Sequence, residues 1–468
     1  MKERMQPTPL SGALPQKNRT ESEGYVEGQT YIGIIENNLT NNQPTEYGML
    51  EFIVSPSNLN AAYLKVKRNK GAGGVDKMST EALKDYLVLH KNELVAAIQK
   101  GNYSPNPVRR VEIPKDNQSK RKLGIPTVVD RVIQQAICQV LTPIYEPQFS
   151  PFSYGFRPKR SAHQALKQGL EYITNGYSYA VDIDLEKFFD KVNHSKLIEV
   201  LSRKVKDGRV ISLIHKYLNA GVIVKHRFEP SEEGVPQGGP LSPLLSNIML
   251  NELDRELEKR GHKFMRYADD MVILCRSKRS AQRVYESITY FIENKLFLRV
   301  NRDKSKVCHI KEVKFLGYSF YKAKGEGRLR LHPKSVLKMK VKIKELTSRS
   351  NGWGNERRKE ALRQYITGWV QYFKLADMKN LLLRVDEWYR RRLRMVIWKQ
   401  WKRTKTKLTN LIKLGVNKSK AWEWANTRKG YWRIAGSFIL STTITNDRLS
   451  AAGFVFFSDY YRKVRGVN

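Results

Sequence analysis

The chain has 468 residues, and 85 Lys and Arg against 45 Asp and Glu give it a formal net charge of +40 and an isoelectric point near 10.0. A surplus of that size favours a polyanionic partner, most commonly nucleic acid. Composition alone leaves open a ribosomal-type structural protein and a protein that binds membrane surfaces. At roughly 150 residues per domain, the length predicts about three domains.

Cysteine usage and hydropathy both point to the cytoplasm. The three cysteines, Cys138, Cys275 and Cys308, have no CxxC spacing, which argues against a disulfide framework and a cysteine zinc site. No uncharged apolar stretch of about 18 residues occurs, and the first ten residues do not form a signal peptide. We therefore expect a cytoplasmic protein with no membrane partner.

The positive charge is concentrated at the C-terminal end. Residues 321–468 contain 36 Lys and Arg against 10 Asp and Glu, a difference of +26, together with all eight Trp residues. Aromatic rings among cations form stacking platforms beside phosphate contacts, although a single Trp is more often part of a core. The combination predicts a nucleic-acid surface in this region.

Apolar spacing and turn residues predict a mixed fold. Residues 1–46 are polar and predict a flexible extension. The elements predicted beyond it are a helix after the Ser55–Pro56 cap, a helix in STEALKDYLVLHKNELVAAIQKG, a hairpin in VRRVEIPKDNQSKRKLGIP, a helix in DRVIQQAICQVLTPIYE, a strand in YAVDID, and a helix capped by Ser242 with Pro243 first.

Helical patterns dominate beyond a charged, glycine-bearing boundary near residue 330. The mixture of strands and helices upstream and the basic helical segment downstream predict an α+β catalytic body followed by an α-rich clamp.

Three acidic residues lie at the ends of predicted strands. Asp269 and Asp270 precede the apolar run MVILC, and Asp184 closes YAVDID. Adjacent carboxylates repel one another and resist burial, so they lie either at a wet turn or around a cation. Mg²⁺ prefers oxygen ligands, and two such ions could be held here, with Mn²⁺ as a substitute. Solvated turn acids are the alternative.

Several motifs in one order carry a family resemblance. YADD, with DIDLEKFFDKVNH and EGVPQGGPLSPLLSNIMLNELD upstream and VKFLGYSF downstream, resembles a reverse transcriptase. RKLGIPTVVDRVIQQAICQVL, SPFSYGFRPKRSAHQAL and the C-terminal WKQWKRTKTKLTNLIKLGVNKSKAWEWANTRKGYWRIAGS narrow the resemblance to proteins encoded by bacterial group II introns. The resemblance covers about residues 49–465.

The resemblance implies a right-hand polymerase, with fingers and palm at 47–330, a helical thumb at 331–385 and a basic maturase or DNA-binding region at 386–468. It implies an RNA-directed DNA polymerase that is also a maturase. The implied partners are its parent group II intron RNA, target DNA, an RNA template with a DNA primer, and deoxynucleoside triphosphates.

The resemblance also assigns roles in the polymerase site. Asp184, Asp269 and Asp270 match the acids that hold two Mg²⁺ ions, whereas Asp182 and Asp190 are left out of the metal set. Lys304 matches a cation placed to protonate pyrophosphate, with Lys306 as the alternative, and is included among the catalytic residues with the three acids.

Further matches concern the incoming nucleotide. Phe189 matches an aromatic gate that would collide with a 2′-hydroxyl, while its neighbour Phe188 is expected in the core. Gln237 in VPQGG matches a nucleotide contact, and Lys115 and Arg121 match fingers cations that grip the triphosphate.

Two histidines and four C-terminal cations are the remaining candidate residues. His163 and His194 invite a general-base role, but we expect both to form structural hydrogen bonds. In the C-terminal region, the predicted phosphate-contacting cations are Lys402, Arg403, Lys405 and Lys407.

The sequence departs from the family pattern at its C-terminal end, and two alternative functions remain. Many members carry a C-terminal His- and Cys-containing endonuclease, but here no His follows His332 and no CxxC pair occurs. We therefore expect a form that lacks this domain and uses another primer, such as a nascent strand at a replication fork. The rivals are a splicing cofactor with a dead polymerase, and a reverse transcriptase recruited to phage defence or spacer acquisition.

Overall fold

The structure, a computed structural model, describes residues 48–114 and 120–466. The predicted extension at 1–46 and Lys115 lie outside the described residues. The described chain contains both helices and strands in sheets, which confirms the predicted α+β class. No helix within it combines the length and the apolar character that crossing a membrane requires.

The N-terminal two thirds contain ten α-helices among the described residues. These are α1 Met49–Ile53, α2 Pro56–Asn69, α3 Leu83–Gln99, α4 Val128–Tyr145, α5 Ala162–Thr174, α6 Phe188–Lys191, α7 His194–Ser202, α8 Gly208–Leu218, α9 Ser242–Lys259 and α10 Lys278–Lys295. The predicted helix after Ser55–Pro56 is α2, with Ser55 as its cap and Pro56 in its first turn.

A four-stranded sheet carries the predicted hairpin. Its strands are β1 Val108–Pro114, β2 Lys120–Ile125, β4 Val222–Val224 and β5 Arg227–Glu229, in the order β2-β1-β4-β5. β1 and β2 pair antiparallel with Arg109 opposite Ile125, which confirms the hairpin. β1 also pairs in parallel with β4, so the hairpin is tied to a segment about a hundred residues later.

A second four-stranded sheet holds the acidic motifs. Its strands are β3 Tyr179–Ile183, β6 Lys263–Tyr267, β7 Asp270–Cys275 and β8 Lys306–His309, in the order β6-β7-β3-β8. Every neighbouring pair in this sheet is antiparallel. The remaining strands, β9 Tyr318–Ala323 and β10 Glu326–Leu331, form a separate hairpin.

The second sheet is buried on both faces, which explains the unbroken apolar run MVILC. Met271, Ile273 and Cys275 belong to a core formed with helices including α4, α9 and α10, whereas Val272 and Leu274 belong to a core shared with β9, β10 and the C-terminal helices. Side chains alternate between faces along a strand, so β7 needs apolar residues at successive positions. The predicted buried strand after Asp269 is thus confirmed.

The C-terminal part is helical throughout its described length. Its helices are α11 Pro333–Leu346, α12 Asn355–Phe373, α13 Lys379–Gln400, α14 Thr404–Lys413, α15 Lys418–Ala425, α16 Tyr431–Ala435, α17 Phe438–Thr443, α18 Asn446–Ala451 and α19 Phe457–Arg465. The change from strands to helices occurs between β10 and α11, close to the boundary predicted near residue 330. The domain limits themselves stay predictions, and α13 runs through the one at 385.

One predicted cap is wrong. Ser242 is the first residue of α9 rather than its cap, which is Leu241, and Pro243 follows within the first turn. The Ser242 hydroxyl instead donates a hydrogen bond to the carbonyl oxygen of Pro236, in the loop before the helix. The start of α9 is therefore attached to the VPQGG segment.

Candidate polymerase site

The register of β3 against β7 brings the distant acids together. Ile183 pairs with Met271, so the next residues along each strand, Asp184 and Asp270, face one another at the end of the sheet. Asp182, Asp184 and Asp270 occupy one face because side chains alternate along a strand. Asp269 lies in the two-residue turn between Tyr267 and Asp270, which pair to close the β6–β7 hairpin.

The acids in this cluster perturb one another. The pKa of the Asp270 carboxyl is raised to about 8, mainly by burial and further by the charges of Asp182 and Asp269, while a hydrogen bond from the Leu316 backbone N–H opposes the shift. Burial likewise raises the pKa of Asp182 to about 6, with Asp184 adding to the effect and Lys306 opposing it. Burial and neighbouring negative charges thus both favour the protonated form of these two carboxyls.

Two lysines contact the cluster from the loop and strand that follow α10. Lys304 Nζ lies 3.4 Å from Asp184 Oδ2, and both side chains are substantially exposed. Lys306 lies near Asp182, and its Nζ donates to the carbonyl oxygen of Glu312 at 3.4 Å. Of the two candidates for the pyrophosphate-protonating cation, Lys304 is the one that contacts a predicted metal ligand.

The donor set fits a divalent cation in its chemistry. Carboxylate oxygens are the ligands that Mg²⁺ prefers, and a cation would offset the repulsion that raises the pKa of Asp270. Within residues 48–114 and 120–466, however, no three His, Cys, Asp or Glu side chains are arranged so that they could hold a metal ion. The assignment of Asp184, Asp269 and Asp270 as metal ligands stays a prediction.

A chain of contacts leads from the acids to the predicted nucleotide residues. Phe189, five residues after Asp184, is buried, and its carbonyl oxygen accepts a hydrogen bond from the Val235 N–H at 2.6 Å. Two residues further on, Gln237 Oε1 accepts from Arg121 Nε at 3.0 Å. These contacts link Arg121 to Gln237 and Phe189 to the segment just before Gln237, and the roles of the three residues stay predictions.

Backbone contact holds this neighbourhood tightly. The Gly124 N–H donates to the Gln237 carbonyl oxygen at 2.7 Å, which ties β2 to the VPQGG loop. Gly238 has a φ of +124°, and a Cβ there would lie 2.4 Å from the Gly124 carbonyl oxygen. Both the backbone angle and the close approach therefore require glycine.

Three predicted structural assignments, those of Phe188, His163 and His194, are consistent with the observed contacts. Phe188 is buried and packs edge-on against Phe189 with ring centroids 5.2 Å apart. His163 Nε2 lies 2.7 Å from the Tyr372 carbonyl oxygen, and His194 Nε2 lies 2.7 Å from that of Gly234. Both histidines join separate segments of the chain, as expected. Asp190 is exposed just beyond the buried Phe189.

The predicted C-terminal cations lie where α13 ends and α14 begins. Lys402, Arg403 and Lys405 are exposed, whereas Lys407 is half-buried with its Nζ 4.8 Å from the centroid of the Trp398 ring. Trp398 itself is buried in the core, while Trp422 and Trp432 are 60% and 40% exposed. The tryptophans of this region thus divide between packing and surface.

Asp182, which is not among the predicted metal ligands, also belongs to the cluster of acids. After burial, its charge is the largest contribution to the raised pKa of Asp270. Its two-residue spacing from Asp184 places both acids on one face of β3.

Comparisons with known proteins agree with these motifs. Residues 113–320 match the family described as Reverse transcriptase (RNA-dependent DNA polymerase). Residues 336–414 match the one described as Group II intron, maturase-specific domain. The strand-bearing body therefore matches a reverse transcriptase family, and the first C-terminal helices match a maturase family.

Individual proteins and one solved structure are also similar to this chain. Protein YkfC of Escherichia coli (strain K12) is 34% identical over 60% of this chain and 85% of its own length. The group II intron-encoded protein LtrA of Lactococcus lactis subsp. cremoris is 30% identical over 64% of this chain, and the chain spans 59% of LtrA. Among solved structures, a partial Cas6-RT-Cas1–Cas2 complex is 25% identical over 53% of this chain and 43% of that chain, with a TM-score of 0.35.

The raised pKa of Asp182 predicts a pH-dependent stability difference. The folded-state pKa of about 6 lies above the ordinary aspartate pKa of 3.8, so this residue's contribution to stability is complete at low pH and is lost as the pH rises through 6. In EDTA, Asp182→Asn should raise the Tm at pH 8 by on the order of 2 °C and have little effect at pH 4.

Thermal unfolding at the two pH values measures this difference. Asp303→Asn, which changes an exposed acid in the loop before β8, is the matched control and should leave the Tm unchanged at both. An equal gain from Asp182→Asn at pH 4 and pH 8 would show that titration of this carboxyl is not the cause.

Proposed function

Because the chain belongs to the family of group II intron reverse transcriptase/maturases, and is thereby an RNA-directed DNA polymerase with a maturase function, we propose that it acts on its own parent intron. It binds that RNA, promotes its splicing and copies it into DNA at a target site during retrohoming. The proposed DNA synthesis is supported mainly by the register of β3 against β7, which sets Asp184 opposite Asp270 and beside Asp269.

Asp184, Asp269 and Asp270 are the residues that would hold two Mg²⁺ ions, for which Mn²⁺ can substitute. When bound, such ions supply activation of the primer 3′-hydroxyl and stabilisation of the leaving pyrophosphate. This role is supported by the surroundings of Asp270, since burial and, to a lesser extent, the charges of Asp182 and Asp269 raise its pKa, and a bound cation would favour the ionised form. Lys304, whose Nζ lies 3.4 Å from Asp184 Oδ2, is proposed to give a proton to pyrophosphate.

The contacts around Gln237 support a pocket for the deoxynucleoside triphosphate. Arg121 Nε donates to the Gln237 side-chain oxygen at 3.0 Å, so a guanidinium, which is a strong phosphate-binding group, lies beside the Gln237 amide. Lys115 is proposed as the second phosphate contact on the strength of the family motif alone. Phe189 is proposed to block a 2′-hydroxyl at the sugar.

The C-terminal helices would supply the binding energy for intron RNA and target DNA. Support comes from the net charge of +26 in residues 321–468 and from the exposed cations Lys402, Arg403 and Lys405. The maturase-specific match at 336–414 favours the intron role over phage defence or spacer acquisition. The intact acidic motifs argue against a splicing cofactor with a dead polymerase.

The two functions should separate in a double variant. Asp269→Ala with Asp270→Ala should abolish DNA synthesis because it removes two metal ligands, while protein-assisted splicing continues because the RNA supplies that chemistry. Removing negative charge from a polyanion-binding cleft should not weaken RNA binding.

Both activities are measured on one preparation, by primer extension on an RNA template and by splicing of the cognate intron at low Mg²⁺. The exposed pair Asp447→Ala with Asp459→Ala is the control and should retain both. Retained DNA synthesis in the Asp269 and Asp270 variant would refute the metal-site proposal. Equal loss of splicing in a folded protein would refute their separation.

Phe189→Ala should relax sugar selection, because removing the ring opens the space that a 2′-hydroxyl occupies. Primer extension with ribonucleotides against deoxynucleotides gives the selectivity ratio. Phe188→Ala removes an equally buried neighbouring ring, so it controls for lost packing and should keep the parent ratio. If both variants discriminate as the parent does, Phe189 is not the gate.

Nucleic-acid binding should depend steeply on salt, with a log-log slope of about −0.7 to −0.9 per phosphate neutralised. Changing Lys402, Arg403, Lys405 and Lys407 together to Ala should flatten the slope. The control changes four exposed cations of α10 to Ala, namely Lys278, Arg279, Arg283 and Lys295. An unchanged slope in the first variant would place the main phosphate contacts elsewhere.

A further inference from the structure

A fully buried ion pair lies directly behind the acidic turn. Arg266, near the end of β6, and Asp254, on α9, are 1% and 0% exposed. The guanidinium binds the carboxylate through two nitrogens, with Nε 2.8 Å from Asp254 Oδ1 and Nη2 bonded to Oδ2. Burying such a pair contributes little net stability compared with apolar packing, so its stability contribution alone does not account for it.

The third nitrogen of Arg266 reaches the turn itself. Nη1 donates to the Ala268 carbonyl oxygen at 2.9 Å and to Asn247 Oδ1 at 3.0 Å. Ala268 has a φ of +58°, a left-handed conformation that costs free energy for a residue with a side chain. Arg266 therefore holds the peptide immediately before Asp269 in a conformation that it would not adopt freely.

The backbone of the turn also packs directly against Gly155. A Cβ at this position would lie 2.2 Å from the Ala268 nitrogen, so only glycine lets the two backbones approach this closely. The Gly155 carbonyl oxygen accepts from Asn247 Nδ2 at 2.9 Å. The preceding segment is also tied to β6, because the Tyr154 N–H donates to the Arg266 carbonyl oxygen at 2.9 Å.

Helix α9 connects this arrangement to the proposed nucleotide pocket. Asn247 and Asp254 are seven residues apart and so lie on one face of the helix, the face that binds Arg266. At the start of the same helix, Ser242 is bonded to Pro236, next to Gln237. One rigid element thus contacts both the VPQGG loop and the network behind the acids.

We propose that Arg266, Asn247 and Gly155 are positioning residues that fix the backbone at Ala268 and so set the placement of the Asp269 and Asp270 carboxylates relative to the VPQGG loop. All three are buried, so they would act through the backbone at Ala268 rather than on substrate. The proposal rests on the polymerase function proposed above, because it explains how that site keeps its geometry. Misplacement by about 1 Å can reduce a rate about a hundredfold, so such fixing has a measurable effect.

Gly155→Ala and Arg266→Lys test the two contacts with the Ala268 peptide, one with the Gly155 backbone and one with the guanidinium of Arg266. The alanine methyl group displaces the Ala268 peptide, whereas lysine keeps a positive charge beside Asp254 but loses the planar fork that also reaches Ala268. Asn247→Ala is a milder third variant that leaves the ion pair in place. Gly208→Ala is the matched glycine control, since a Cβ there meets nothing within 4 Å.

A stability-matched control separates positioning from general damage. Leu257→Ala removes packing from a wholly buried residue of α9 that is not part of the network. It should lower the Tm by at least as much as Asn247→Ala while kcat stays near that of the parent protein. The positioning variants should lower kcat about tenfold or more, with the KM for deoxynucleotide and the Kd for template-primer within about twofold.

A binding measurement without turnover completes the test. Mn²⁺ titrated into the protein without nucleotide should bind several-fold more weakly to the positioning variants than to the parent and the two controls. Wild-type Mn²⁺ binding and kcat in folded Gly155→Ala and Asn247→Ala, or an equal kcat loss in Leu257→Ala, would overturn the proposal. A parent protein that binds Mn²⁺ but makes no DNA would instead refute the proposed function, and the Mn²⁺ comparison would still decide the positioning role.

Discussion

The antiparallel pairing of β3 with β7 is the interaction on which the acidic site depends. It joins segments about ninety residues apart, and the register that sets Ile183 against Met271 also decides which acids meet. A slip of one residue would move Asp182 and Asp184 to the opposite face of the sheet and bring Val181 and Ile183 out of their core. The apolar residues on both faces therefore hold the carboxylates in register, and the free energy that opposes their mutual repulsion comes from packing elsewhere in the strands.

The site is surrounded by contacts that leave little room for adjustment. Gly238 and Gly155 each occupy a place where a Cβ would overlap backbone atoms, the first against Gly124 and the second against Ala268. Such backbone-to-backbone packing has no flexible side chain that could absorb a displacement. The fingers hairpin, the VPQGG loop and the acidic turn are thus each held by a rigid neighbour, which suits a reaction that requires several groups to be in place together.

How much of this could be predicted differs between the parts of the chain. The strand that begins at Asp270, the hairpin whose second strand contains Gly124 and the helix that contains Asn247 carry strong local patterns, and the structure confirms all three. The sequence places Asp182 on the same face of β3 as Asp184, but its raised pKa could not be predicted because it depends mainly on the burial of β3 by distant segments. Arg266 was missed, since an arginine beside an acidic motif in a basic chain looks like any other surface cation until its partner Asp254, twelve residues earlier, is seen on α9.

The continuity of α13 has a mechanical consequence for the C-terminal region. Its 22 residues form one uninterrupted helix, about 33 Å long at 1.5 Å per residue, with no proline or glycine to act as a hinge. The carboxylate of Asp386, near its first turns, accepts hydrogen bonds from the Phe457 and Ser458 N–H groups, so the last helix of the described chain is anchored to it. A force that bound nucleic acid exerts near Lys402 would be transmitted by this stiff helix to its other end at Lys379. The two ends of α13 must therefore move together.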